Sequence, residues 1–115
     1  MALINAEGVY YKDLNQKIKK LIKNGEKEII LEKVNGQRYL GDGIKDKIKL
    51  TIEGTPGNDM AAFAGGIQIE VKGNAQDAIA NTMNSGRVVV HGDAGDVLGY
   101  SMRGGEVFIK GRVGY

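Results

Sequence analysis

The chain has 115 residues and a formal net charge of +2, which is enough length for one small core, so a single domain over residues 1–115 is expected. Because it contains no cysteine, disulfide bonds, iron–sulfur clusters held by thiolates and a thiol nucleophile are excluded. Aliphatic runs span at most three residues and no signal-peptide pattern opens the sequence, so we expect no membrane partner and a cytoplasmic chain.

The first predicted element is an amphipathic helix over residues 13–24. Its apolar residues recur at helical spacing and share one face: Leu14, Ile18, Leu21 and Ile22. Asp13 is predicted to cap the start of the helix, and Gly25 to supply the left-handed residue after its last turn. The segment "EKEIILEKV" at residues 26–34 follows as a strand. Residues 1–35 are therefore expected to form an N-terminal helix and a lead-in strand.

Positive charge is concentrated in this N-terminal part. Residues 1–49 carry 11 Lys or Arg against 7 Asp or Glu, whereas residues 50–115 carry 5 against 7. Most of the excess lies in "KIKKLIKNGEK", which includes the second half of the predicted helix. Such a patch could bind nucleic acid, but the solvated face of an amphipathic helix explains it more simply. Because no aromatic side chains alternate with the basic ones, as stacking on single strands requires, we expect no nucleic-acid partner.

From residue 48 onward the sequence repeats with a period of 19. The segments "IKLTIEG", "IQIEVKG", "RVVVHG" and "EVFIKG" end at Gly54, Gly73, Gly92 and Gly111. Aliphatic residues stand four and two positions before each glycine, and on a strand they share one face. They are Leu50, Ile52, Ile69, Val71, Val88, Val90, Val107 and Ile109. We expect these residues to form two core ladders, while the mostly charged positions between them face water.

The second half of each unit repeats less tightly. Residues six, eight and ten positions after the first three glycines are mostly apolar: Met60, Ala62 and Ala64, then Ile79, Asn81 and Met83, then Leu98, Tyr100 and Met102. This alternation predicts a second short strand in each unit. Asn81 and Tyr100 share one inward position, and we expect them to hydrogen-bond inside the molecule rather than do chemistry.

A 19-residue unit with two short strands and glycine turns excludes leucine-rich, helical and propeller repeats, whose periods are longer. The fold class that remains is mainly β: a right-handed parallel β-helix, single-stranded, with about 19 residues per coil over residues 36–115 and one N-terminal α-helix. Gly92 is then a corner of a coil and not a phosphate-binding loop, which would occur only once. Tight corners need a positive φ or a close backbone approach, and glycine permits both.

Polar residues near the corners are candidate binding or catalytic residues. Asn58, Asp77 and Asp96 follow successive glycines by four residues, and Asx side chains that cap their own turns are favoured over a calcium ladder. His91, the single histidine, aligns with outward-facing charged positions and is not predicted to be catalytic. Because neither cysteine nor a cluster of acids is present, no catalytic, cofactor-binding or metal site is predicted.

The segment "GTPGNDMAAFAGGIQIEVKGNAQDAIANTMNSGRVVVHGDAGDVLGYSMRGGEVFIKG" resembles the glycine-rich GxGxG β-helix domain at the C-terminal end of the large subunit of glutamate synthase. Its most specific stretch is "GDAGDVLGYSMRGG", and the preceding helix and strand resemble the part of that protein that leads into the domain. The sequence is also similar to the C subunit of formylmethanofuran dehydrogenase.

The first resemblance implies a non-catalytic scaffold of a glutamate synthase-like oxidoreductase, packed against amidotransferase and flavin-synthase parts. FMN and an iron–sulfur cluster are then expected only in partner domains. The alternatives are a scaffold C subunit of a formylmethanofuran dehydrogenase-type enzyme and a self-assembling β-solenoid without an enzyme partner. Family domains usually contain more coils, whereas this chain stops four residues past Gly111, as a truncated or a naturally short product would. An open coil there predicts a homo-oligomer, formed through that end or through the helix.

Overall fold

The computed structural model describes residues 1–95 and 102–113, and within them six parallel strands form one sheet in chain order. The strands are β1 (Ala2–Asn5), β2 (Glu28–Asn35), β3 (Lys49–Thr55), β4 (Gln68–Lys72), β5 (Arg87–Val90) and β6 (Glu106–Ile109), and the helix is α1 (Tyr11–Lys23). Parallel neighbours in chain order require the chain to return to the same end of the sheet after each strand, as a β-solenoid does. The predicted fold class is confirmed.

The 19-residue period of the sequence is the register of the sheet. Lys49 pairs with Gln68, Gln68 with Arg87, and Arg87 with Glu106. Each coil, meaning one strand and the segment that leads to the next, therefore advances by one sequence repeat. Equivalent residues stack along the solenoid, so the same type of side chain is favoured at the same position of each coil.

The core lies behind the sheet, along the two aliphatic ladders. Of the eight ladder residues, six are buried: Leu50, Ile52, Ile69, Val71, Val88 and Val90. Val107 and Ile109 in β6 are half-buried, because no described strand follows β6 in the sheet. Ile29 and Leu31 extend the same ladders into β2 and are fully buried.

Helix α1 begins two residues before its predicted start. Tyr10 occupies the N-cap position without a side-chain hydrogen bond, and Asp13 lies within the first turn, so the predicted Asp13 cap is wrong. The carboxylate of Asp13 still lies near the positive end of the helix dipole. The C-terminal prediction fits, since Gly25 has φ +96° and its N–H donates to the carbonyl of Ile22 over 3.0 Å. In the part of the chain that the structure describes, no helix is long and apolar enough to cross a membrane.

Strand β1 was not predicted from the sequence. It pairs with β2 in parallel, so α1 is the crossover of the first coil and not an element outside the solenoid. Buried Leu14 and Ile18 on α1 join the same hydrophobic core as Ile29 and Leu31. A helix of 13 residues is marginal alone, and docking on this core is what stabilises it.

The second strand predicted in each unit is wrong. Residues 59–63 alternate between left-handed and other conformations, with φ of +62° at Asp59, +62° at Ala61 and +57° at Phe63, and no second sheet forms in the described residues. The Ala61 N–H donates to the carbonyl of Leu40 in the preceding coil over 2.8 Å. The residues predicted to face inward are still mostly buried, and so are Ala61 and Ala80 between them: Met60, Ala62, Ala64, Ile79 and Met83 have at most 7% of their surface exposed. Leu98 and Tyr100 lie outside the described residues, and Met102 is half-buried.

The corner glycines are explained mainly by close approach of successive coils. A Cβ on Gly73 would overlap the carbonyl oxygen of Gly54, and one on Gly111 would come within 2.6 Å of the carbonyl oxygen of Gly92. A Cβ on Gly92 would come within 2.7 Å of the carbonyl oxygen of Gly73. Gly54 alone among these four has a positive φ, of +124°. The glycine that recurs every 19 residues is thus required because its backbone packs directly against the backbone of the equivalent corner in the neighbouring coil.

Candidate functional site

An open, charged groove of about 670 Å³ crosses the N-terminal ends of the strands. We call it the basic groove, and its polar and charged lining residues are Lys27, Lys47, Lys49, Gln68, Ser85, Arg87 and Glu106. Four of these are the first residues of β3 to β6 and are held side by side by the sheet register. The lining therefore comes from several coils and exists only in the folded solenoid.

Glycine keeps the floor of the basic groove open. Gly66 and Gly86 line it with φ of +84° and +103°, in the left-handed region that disfavours other residues. A Cβ on Gly86 would overlap the carbonyl oxygen of Ile67, so no side chain can fill this part of the groove.

The charge in the basic groove is predominantly positive. Its single carboxylate, on Glu106, accepts from the guanidinium of Arg87 at 3.2 Å, and both side chains are about half exposed. The same guanidinium lies 5.3 Å from the ring centroid of Phe108, which fixes its position from a second side. Within residues 1–95 and 102–113, the ammonium groups of Lys27 and Lys47 have no carboxylate oxygen within 4.0 Å. The groove is therefore suited to anionic groups, such as carboxylates on another protein surface.

His91 makes a specific contact on the outer face of the sheet. Its Nε2 lies 2.9 Å from Oε2 of Glu70, and this hydrogen bond holds the pKa of the Glu70 carboxyl below its usual range. Both side chains are about one-third exposed. The carboxylate orients the imidazole, but the pair lies on an open strand face rather than in a cleft that could exclude water from a reaction.

A second polar feature lies between α1 and the first coils. Asp42, Tyr11 and Tyr39 line a cleft of about 260 Å³, and the two rings are 5.5 Å apart between centroids. The N–H of Ala62 donates to Oδ1 of Asp42 over 2.9 Å. Burial raises the pKa of the Asp42 carboxyl to about 7, helped by the nearby Asp59 carboxylate and opposed by the Ala62 bond and Lys19. Sequence reasoning missed Asp42 because its burial depends on how the helix docks.

Polar side chains at the corners join coils, and for Asn58 this corrects the prediction that the side chain caps its own turn. Oδ1 of Asn58 accepts from the N–H of Asp77, 19 residues later, over 3.0 Å. Asn74 and Asp93 form a parallel ladder that was not predicted: Asn74 Oδ1 accepts from the Asp93 N–H over 2.8 Å, and Asp93 Oδ1 from the Arg112 N–H over 2.7 Å. Their spacing of 19 was a signal in the sequence. Asp96 lies outside the described residues.

In the described residues, no three His, Cys, Asp or Glu side chains come together as a metal site would need. Asn81 is described, but its predicted partner position Tyr100 is not. The candidate functional surfaces are therefore the basic groove, the outer face of the sheet around His91 and the cleft at Asp42.

Comparison with known proteins gives the family. The family model described as the GXGXG motif matches residues 5–115. An uncharacterized protein of Methanocaldococcus jannaschii is 46% identical over 86 residues, which cover 71% of this chain. The matched segment spans 33% of that relative's length. No solved structure matches the chain. The solenoid register and the match over nearly its whole length show that the chain belongs to the GXGXG motif family.

Proposed function

We propose that the chain is a non-catalytic scaffold domain or subunit of a glutamate synthase-like oxidoreductase, which packs against the amidotransferase and flavin-synthase parts of that enzyme. The observation that supports this proposal is the family match over residues 5–115, because the GXGXG motif is the β-helix domain of glutamate synthase that the sequence resembles. In such an assembly the FMN and the iron–sulfur cluster belong to partner domains. This chain, which has no cysteine, supplies no thiolate ligand.

A solenoid is well suited to a scaffold role. The sheet holds the backbone of its outward residues in register, as at Lys49, Gln68, Arg87 and Glu106, so little backbone conformational entropy is lost when a partner docks. The core behind them is packed from fully buried aliphatic residues such as Leu50 and Ile52. A surface of this kind can set the distance between two partner domains without moving itself.

The basic groove is the surface that we assign to the partner contact. It gathers Lys27, Lys47, Lys49 and Arg87 around one carboxylate, and its glycine floor gives access to a protruding loop or helix end. An acidic patch on the partner would be attracted to this groove, and the attraction would contribute to both the orientation and the affinity of docking. The scaffold is therefore expected to bind its partners with an affinity that falls as salt concentration rises.

A charge-reversal variant tests this assignment. Lys47→Glu with Lys49→Glu reverses two charges in the groove, whereas Lys12→Glu with Lys23→Glu makes the same change in net charge on exposed helix α1. We expect the groove variant to retain less than a tenth of the amidotransferase and flavin-synthase polypeptides that wild type retains on an affinity column. The helix variant should retain them fully. Equal retention by both variants, with both folded by circular dichroism, would remove the groove from the interface.

A further inference from the structure

Strand β6 is an edge of the described sheet with a partly uncovered core behind it. It pairs with β5 on one side, and no described strand lies on the other. Val107 and Ile109 are half-buried, although their equivalents Val88 and Val90 in β5 are fully buried. Phe108 on the outer face is 46% exposed. An edge of this kind presents unpaired backbone groups together with apolar side chains, which is a template for a further strand.

The sequence of this edge is complementary to itself. It reads Glu106, Val107, Phe108, Ile109, Lys110. In an antiparallel pair of two copies centred on Phe108, Glu106 of each copy lies opposite Lys110 of the other. Val107 then lies opposite Ile109, which continues the aliphatic ladders of both cores. Opposite charges and apolar pairs directly across two strands are the stabilising combinations.

The backbone polarity of β6 agrees with this register. The N–H groups of Glu106 and Lys110 donate inward to the carbonyls of Gly86 and Val90. Because hydrogen-bonding direction alternates along a strand, the N–H and C=O of Val107 and Ile109 point away from β5. The register centred on Phe108 places these outward groups opposite each other as hydrogen-bonded pairs. A register centred on Val107 would also bond, but it brings no opposite charges together. A register centred on Ile109 would place Glu106 opposite Arg112, but it would also place Lys110 opposite the apolar Phe108.

We propose that two copies of the chain associate through antiparallel pairing of their β6 strands, about a two-fold axis at Phe108. The interface is isologous and closes on itself, so it gives a dimer and not a filament. Two ion pairs between Glu106 and Lys110 set its register. The proposed dimer does not depend on the scaffold function. If the chain were a monomer, the dimer would be disproved, but the scaffold function would still stand.

The competing arrangement is a head-to-tail stack of β6 on β1 of the next copy. Continuing the sheet register would place Phe108 beside Leu3 and Val107 beside Ala2. That contact would not close and would propagate into fibres. It also places Lys110 beside the uncharged Asn5, so it lacks the two Glu106–Lys110 pairs that favour the antiparallel dimer.

Charge swaps test the register of the dimer by sedimentation equilibrium on the full chain. Glu106→Lys or Lys110→Glu places like charges opposite each other twice, so each variant should raise the dimer dissociation constant at least tenfold. The double variant restores opposite charges in every pair and should return the constant to within about threefold of wild type. Rescue by the second substitution separates cross-strand pairing from loss of the Arg87–Glu106 bridge, which the double variant also lacks. A monomeric wild type, or a double variant no better than the singles, would overturn the proposal.

Cysteine cross-linking gives an independent readout, because the chain has no cysteine of its own. Phe108 is paired with itself across the two-fold axis, in a non-hydrogen-bonded position with Cα atoms about 4.5 Å apart, within reach of a disulfide. Phe108→Cys should therefore form a disulfide-linked dimer on mild oxidation. Leu3→Cys is the matched control, because Leu3 is 58% exposed and lies on the same ladder at the opposite edge of the sheet. This variant should remain monomeric on non-reducing gels. Cross-links that appear only when both variants are mixed would instead establish the head-to-tail stack.

Discussion

The carbonyl oxygen of Gly54 lies so close to Gly73 that a Cβ on Gly73 would overlap it. Gly73→Ala must therefore push two coils apart or tilt the corner. Overpacking against backbone, which cannot rotate away, is expected to reduce the free energy of unfolding by about 2 to 3 kcal/mol. Urea denaturation followed by circular dichroism measures this loss.

Gly65→Ala is the matched control for that substitution. Gly65 has no positive φ, and the nearest atom to an added Cβ is the Ser85 Oγ at 3.5 Å, an ordinary contact. We expect its free energy of unfolding to stay within about 0.5 kcal/mol of wild type or to rise slightly, since alanine restricts the unfolded chain. If both glycines tolerated alanine equally, coil contact would not be the reason for the repeated glycine.

Neighbouring residues on β5 and just beyond it should differ sharply in their tolerance of substitution. Val90→Asp buries a carboxylate in the fully enclosed aliphatic ladder and is expected to cost roughly 3 to 5 kcal/mol or to prevent folding. His91→Ala removes an exposed contact with Glu70 and should cost less than about 1 kcal/mol. Thermal melts of the two variants test the assigned faces. A destabilising His91→Ala with a tolerated Val90→Asp would reverse them.

Asp42 should make the stability of the fold depend on pH. Its pKa is raised to about 7 in the folded protein, so the folded state holds a proton that the unfolded state releases near pH 4. The contribution of protonated Asp42 to the free energy of unfolding is fully present below pH 4 and is lost as pH rises to 7. Between pH 5.5 and 8 we expect the Asp42 contribution to fall by roughly 1 to 2 kcal/mol, after screening by solvent.

Asp42→Asn isolates that contribution. The asparagine Oδ1 can still accept from the Ala62 N–H, but the side chain no longer titrates. Urea melts at pH 5.5 and 8 should show a smaller loss of stability for the variant than for wild type. An identical pH dependence in the two proteins would show that Asp42 is ionised throughout the range.

The bond from Asn74 to the next coil should be measurable on its own. Asn74→Ala removes the acceptor for the Asp93 N–H and is expected to reduce the free energy of unfolding by about 1 kcal/mol. Asn84→Ala is a suitable control, because Asn84 is also exposed and its side chain makes no hydrogen bond within the described ranges 1–95 and 102–113. Amide hydrogen exchange at Asp93 should accelerate in the first variant and not in the second.

The solenoid could be predicted because its information is periodic. Leu50, Ile69 and Val88 recur every 19 residues, and a strand register that stacks them is the simplest way to bury them together. Strand β1 was missed because "ALIN" is short and has no repeat partner; its pairing with β2 depends on where α1 docks. The strand predicted from Met60, Ala62 and Ala64 was wrong because a backbone with positive φ at every second residue from Asp59 to Phe63 buries the same three side chains.

The candidate site was less predictable than the fold. The basic groove gathers Lys27 and Lys47 with residues as far away as Glu106, four and three coils later, and this proximity is visible only once the register is known. The raised pKa of Asp42 likewise depends on burial beneath a helix. The position of Asn58 at a corner was evident from its spacing in the sequence. Its hydrogen-bond partner was predicted wrongly, because a bond to Asp77, 19 residues later, forms only when successive coils stack.

The central claim is that this chain is a scaffold for a glutamate synthase-like enzyme, and the most direct test is native purification of the tagged full chain with mass spectrometry of its partners. We predict that amidotransferase and flavin-synthase polypeptides are recovered in stoichiometric amounts with the wild-type chain, and in reduced amounts with the Lys47→Glu, Lys49→Glu variant. Recovery of the chain by itself, or with the subunits of a molybdenum or tungsten enzyme of the formylmethanofuran dehydrogenase type, would contradict the claim.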